Sequence, residues 1–78
     1  MPCLKINGKA FAGLYGDDMV FKLHGRAHEQ AIALSGAHLF DPSGMGRPMK
    51  QWVQVAHEHA DRWAELGRNA LEQASERG

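Results

Sequence analysis

Leu4-Lys5-Ile6-Asn7-Gly8-Lys9-Ala10-Phe11 decides how this chain begins to fold. A two-residue type I′ hairpin turn demands positive φ at both central positions, and Asn followed by Gly meets that demand at the lowest steric cost. The turn fixes a register in which Ile6 is expected opposite Lys9 and Leu4 opposite Phe11. Leu4, Ile6 and Phe11 then share one face, with Lys5 and Ala10 on the other, and the first face is the core side.

Outward from the hairpin, the second strand continues through Ala12-Gly13-Leu14-Tyr15. Gly16-Asp17-Asp18 supplies turn residues, and Met19, Phe21 and Leu23 alternate with Val20, Lys22 and His24 in a third strand. Three strands joined by short turns make a meander. Gly13 marks a bulge or a close backbone approach within the second strand. From about Arg26 the period changes: Ala27, Ala31 and Leu34 recur at helical spacing with Ile32 alongside, and Gly36 is placed as the C-terminal cap. Leu39-Phe40 form a brief strand before a Gly-, Pro- and Asp-rich loop over 41–48. A further strand, Met49 to Val55, sets Met49, Gln51, Val53 and Val55 on one side and Lys50, Trp52 and Gln54 on the other.

The last helix runs from near Glu58 to about Glu76. Its stripe of Ala60, Trp63, Ala64, Gly67, Ala70, Leu71 and Ala74 is mostly small, which lets the helix backbone sit close to its neighbour. Gly67 costs about 1 kcal/mol relative to Ala in a helix interior. Glu58 with Arg62, and Arg68 with Glu72, are spaced as i, i+4 pairs on its wet side. The expected fold class is therefore α+β: an antiparallel sheet, made of the N-terminal three-strand meander and one or two later strands, with two helices packed on it.

The chain has 78 residues, 44% of them hydrophobic and 23% charged, the composition of one ordinary globular domain over 1–78. A domain of this size buries only about 60% of its unfolded surface, so a second subunit would add useful burial. Nine basic and nine acidic side chains cancel, which removes the net positive field that drives non-specific nucleic-acid binding. A neutral chain can still carry a local patch, and Lys5, Lys9 and Lys22 could share one end of a sheet, but the favoured reading of them is solvated strand edges that discourage aggregation. Cys3 is the only cysteine, which excludes an internal disulfide and a cysteine-based zinc site and fits a reducing compartment. No apolar run is long enough to span a bilayer and none near the start resembles a signal peptide, so the expected location is the cytoplasm with no membrane partner.

Three stretches carry a resemblance: Gly8-Lys9-Ala10-Phe11-Ala12, Asp17-Asp18-Met19-Val20-Phe21-Lys22-Leu23, and Gly46-Arg47-Pro48-Met49-Lys50-Gln51-Trp52-Val53-Gln54-Val55. Together they resemble the small YjbR/MmcQ-like and TfoX N-terminal-like domains over nearly the whole chain. The resemblance implies an antiparallel sheet with packed helices, similar to secretion-chaperone-like domains, and a function that is largely unassigned. It links one branch to competence regulation and another to nucleic-acid binding. Such domains usually carry a helix before the first strand, whereas here Cys3 is almost at the start. One sheet face is then expected to lack part of its cover, supplied by a partner subunit or lost with a truncated reading frame.

No constellation of catalytic residues stands out, and none is assigned. Asp17 and Asp18 are adjacent carboxylates, but turns favour Asp for its local backbone hydrogen bonds. Cys3 lacks a third group to orient a nucleophile–base pair. The five histidines include His24 with His28 and His57 with His59, without the spacing of a known metal motif, so neither metal nor other cofactor is expected. Gly44-Met45-Gly46-Arg47 offers backbone N–H groups to an anion, but no phosphate-loop Lys-Ser/Thr follows.

Two sets of residues remain as candidates. Arg47, Lys50 and Trp52 form a ligand or anion site, against the plainer role of Trp52 as core. Trp63, Leu66, Ala70 and Leu71 form an isologous homodimer interface, against the plainer role of the last helix as cover for its own sheet. The sequence thus favours a non-enzymatic interaction or regulatory module, homodimeric, with a protein or nucleic-acid partner. A small-ligand or anion-binding domain is the alternative.

Overall fold

Asn7 and Gly8 take φ of 52° and 77°, and the turn they make sets Ile6 opposite Lys9 as the hairpin chemistry requires. The computed structural model describes residues 3–41, 44, 46 and 48–76. They form β1 (Cys3–Ile6), β2 (Lys9–Tyr15), β3 (Asp18–Lys22), α1 (Gly25–Ile32), β4 (His38–Phe40), β5 (Met49–Val55), a 3₁₀ turn (His57–His59) and α2 (Ala60–Glu76). The strands make one antiparallel sheet in the order β1-β2-β3-β5-β4. The chain is α+β, with both helices packed on the sheet: α2 across β2 and β3, α1 against β5.

The hairpin register departs from simple alternation. Leu4 faces Ala12 and Lys5 faces Ala10, which leaves Phe11 as an extra residue on β2. A bulge of this kind turns two successive side chains the same way, and Phe11 and Ala12 both enter the core under the helices. The irregularity therefore falls at Phe11, ahead of Gly13, and Leu4 lies beside Ala12 with Phe11 displaced from the expected pairing.

The core is built by the alternate residues of β3 and β5, Phe21, Leu23, Val53 and Val55, meeting Ala31 of α1 and Leu66 and Ala70 of α2. A Cβ placed on Gly67 would stand 3.7 Å from Phe21 Cε1, so the small residues of α2 do bring its backbone down onto the sheet. The buried stripe is rotated from the expected one: Leu66 joins it, and Ala64 and Leu71 turn outward. Leu66 and Ala70 are consequently interior residues of this chain, which removes them from any interface with another.

Two boundaries also shift. Helix α1 ends at Ile32; successive tight turns follow, with Leu34 N–H donating to the Ala31 carbonyl and Ala37 N–H to that of Leu34. Gly36, at φ 80°, serves the second turn and does not cap the helix. Glu58 lies in the 3₁₀ turn, so Arg62 pairs with Glu65 at 3.4 Å in place of Glu58.

The sheet face turned away from the helices is not bare. The Tyr15 and Phe40 rings meet edge to face, 5.0 Å between centroids. Strands β3 and β5 lie between the strands that carry them, so the pair spans this face. Val20, which by alternation points toward it, has no exposed surface.

Candidate functional site

Each lysine of the chain lies in a strand: Lys5 in β1, Lys9 in β2, Lys22 in β3 and Lys50 in β5. Register brings them to one end of the sheet. Lys5 is opposite Ala10 and Lys9 opposite Ile6 beside the Asn7-Gly8 turn. Leu23 N–H donates to the Gln51 carbonyl at 2.8 Å, and Lys22 is the cross-strand partner of Trp52. Lys22 and Lys9 lie on central strands, where edge protection is not their role. Among the described residues the ion pair is Arg62 with Glu65, and the His59 ring stands 3.8 Å from Glu58, so no lysine has an ion-pair partner there.

Carboxylates gather at the other end. Asp17 and Asp18 sit at the β2–β3 turn, and Glu58, Asp61 and Glu65 sit where α2 begins, near the Leu14, Met19 and Trp63 side chains that share a hollow there. Asp61 in the first turn of α2 complements the positive end of that helix. Glu72 lies instead toward the lysine end, next to Gln73 in a hollow with His24, Arg26 and Gln30.

At the lysine end a cleft of about 100 Å³ opens between the strand termini and the last turns of α2, with Lys9, Lys22, His24, Gln51 and Gln73 in its wall. The Gln73 amide is committed to the backbone of His24 on both sides, at 3.0 Å each way. Gln51, also in the wall, is exposed. Trp52 is half-buried on the face opposite the helices, beside Lys22.

Of the expected site, Lys50 and Trp52 share a face through strand alternation, and Arg47 lies outside the described residues. Lys22 and Lys9 complete what sequence reasoning left apart, because only the β3–β5 pairing shows that Lys22 adjoins Trp52. The glycine loop answers its own anion-binding potential: Gly44 N–H donates to Asp41 Oδ1 and Gly46 N–H to Oδ2, at 3.1 and 3.0 Å. The carboxylate of this chain fills the place an external anion would take.

The remaining polar candidates are tied to the fold. Asp18 accepts a 2.7 Å hydrogen bond from Gln54 Nε2. His28 donates to the Lys50 carbonyl, His38 to Gly36 and His59 to Ser35, at 2.8 to 3.1 Å. No three His, Cys, Asp or Glu side chains converge to hold a metal among the described residues, and no described helix is long and apolar enough to cross a membrane. Of the interface candidates that remain at the surface, Leu71 is exposed on α2 and Trp63 is partly buried against the core.

Comparison of the chain with protein-family models, curated proteins and solved structures finds no match.

Proposed function

We propose that this protein is a non-enzymatic interaction module that binds nucleic acid through the lysine end of its sheet, and that it works in the cytoplasm. One observation carries this: lysines on four strands converge without ion-pair partners, while the carboxylates at the β2–β3 turn and the start of α2 occupy the opposite end. Zero net charge therefore hides a local positive field of the kind that binds a phosphate backbone. The commitment of Asp18, His28, His38 and His59 to structural hydrogen bonds supports binding over catalysis. A single cysteine supports the reducing compartment. The relation to YjbR/MmcQ-like and TfoX N-terminal-like domains belongs to this proposal too, supported by the motif stretches and the α+β sheet. Fluorescence anisotropy with a labelled nucleic acid over a salt series tests it. Affinity is expected to fall with log salt at a slope of about −2 to −3, as for three or four phosphate contacts; no binding at low salt rejects it.

A second reading is favoured at the opposite end. Leu4, 55% exposed, and Leu14, 44% exposed, line an apolar hollow of about 340 Å³ with Met19 and Trp63, beside the open edge of β1. The Trp63 indole Nε1 is buried without a hydrogen-bond partner among the described residues. We propose that a second copy covers this hollow, giving an isologous homodimer. Sedimentation equilibrium across protein concentrations decides, and a monomer throughout removes it.

A further inference from the structure

We infer that the second copy joins edge to edge through β1, as an antiparallel strand pair centred on Leu4, so that two five-stranded sheets become one continuous sheet. This rests on the homodimer reading above and assigns its seam and its register.

The backbone supplies the first reason. β1 borders the sheet, with β2 on one side and no described strand on the other. Ile6 and Lys9 close a two-residue turn, and residues that close such a turn exchange their backbone hydrogen bonds. By alternation Lys5 turns its N–H and carbonyl to the open side, where water or another strand must meet them. The opposite edge, β4, is only three residues long and shifts register at Phe40, which makes it the poorer template.

Charge selects the direction of pairing. β1 runs from the carboxylate end of the sheet, where Cys3 faces Gly13, to the lysine end at the Asn7-Gly8 turn. An antiparallel seam sets the lysine end of each copy beside the carboxylate end of the other, whereas a parallel seam sets like ends together. Its two-fold axis passes through the sheet, so the helices of both copies lie on one side.

Side chains select the register. Leu4 faces Ala12 and stands on the helix side, 55% exposed, while Lys5 faces Ala10 and stands on the other. With Leu4 on the axis it meets the partner's Leu4 as a non-hydrogen-bonded pair, where side chains come closest. Lys5 then exchanges backbone hydrogen bonds with the partner's Cys3. Centring the pair on Lys5 sets two like charges directly opposite, which is destabilising; centring it on Cys3 parts the two leucines and pairs fewer residues of β1. On the helix side the partner's Ile6 arrives at the end of the seam that holds the hollow of Leu4, Leu14, Met19 and Trp63.

Sedimentation equilibrium of the full chain reads the dimer, and cysteine cross-linking in air reads the seam. Non-hydrogen-bonded neighbours stand about 4.5 Å apart at Cα, within the span of a disulfide, so Leu4→Cys combined with Cys3→Ser is expected to yield a covalent dimer. Strand rise and spacing place the two Cys3 residues of the parent about 8 Å apart, beyond that span, so the parent is expected to cross-link at least about tenfold more slowly. Leu4→Glu sets two carboxylates on the axis and is expected to raise the dissociation constant at least about tenfold. Leu4 is exposed in the single copy, and amide spectra report the fold of each variant. In the parent, hydrogen exchange of the Lys5 amide is expected to slow as concentration rises through the dimer range. A dimer whose Leu4→Cys form stays unlinked, whose Cys3 links as fast, whose Leu4→Glu form associates like the parent, or whose Lys5 amide stays unprotected overturns this seam while leaving the homodimer reading intact. A monomer throughout overturns both.

Discussion

The Gln73 side chain reads the His24 peptide from both sides: His24 N–H donates to Gln73 Oε1, and Gln73 Nε2 donates to the His24 carbonyl, each at 3.0 Å. The two residues are 49 apart in sequence. One amide thereby fastens the end of α2 to the link between β3 and α1. Gln73→Glu keeps the acceptor, removes the donor and sets a carboxylate oxygen against a carbonyl. We expect a loss of about 1 kcal/mol, the net worth of an exposed hydrogen bond plus an unmet acceptor. Urea denaturation of the two proteins checks this; equal midpoints would show that water replaces the clamp.

Gly67 offers the opposite outcome. A methyl group there meets Phe21 Cε1 at 3.7 Å, ordinary contact, and the backbone is helical. Gly67→Ala should stabilise the fold by about 0.5–1 kcal/mol through helix propensity, seen as a higher melting temperature. A lower one would mean that the methyl group is not accommodated against Phe21 at that distance.

Gly8 has open space around a Cβ but sits at φ 77°. Gly8→Ala should therefore destabilise by about 1–2 kcal/mol through backbone strain alone. Calorimetry measures the loss, and an unchanged transition would show that the turn can change type.

The Tyr15–Phe40 ring contact ties β2 to β4 across two intervening strands. Phe40 is 4% exposed, so Phe40→Ala should cost about 3 kcal/mol. A double-mutant cycle with Tyr15→Ala should return a coupling of about 1 kcal/mol, the usual worth of an edge-to-face pair. Additive single effects would mean that the rings touch without supporting one another.

The hairpin, the meander, the short β4 and the faces of β5 were legible in the sequence because each is set within a few residues by turn chemistry and alternation. Features that depend on distant partners were not. The extra residue at Phe11 breaks the two-residue period without a Gly or Pro to announce it. The rotation of α2 toward Leu66 follows from its seat on Phe21, which no local stripe of Ala and Gly specifies. At the candidate site, Lys50 and Trp52 could be grouped because they share one strand. Lys22 could not be added, since its place beside Trp52 arises from pairing β3 with a strand that follows α1 and β4. The role of Asp41 in the glycine loop was not legible for another reason: only the folded loop brings the Gly44 and Gly46 N–H groups onto its two carboxylate oxygens.

The separation of lysines from the carboxylates at the far end has a consequence that equality of charges conceals. With nine of each sign the molecule carries no monopole, yet the lysines at one end of the sheet and the carboxylates of the β2–β3 turn and the start of α2 at the other form a dipole, reduced by Glu72 at the first end and Arg62 at the second. Such a body feels a torque in the field of a polyanion before any contact forms. It is turned lysine-first during approach, so its association rate should fall with ionic strength although a count of charges gives no reason for it.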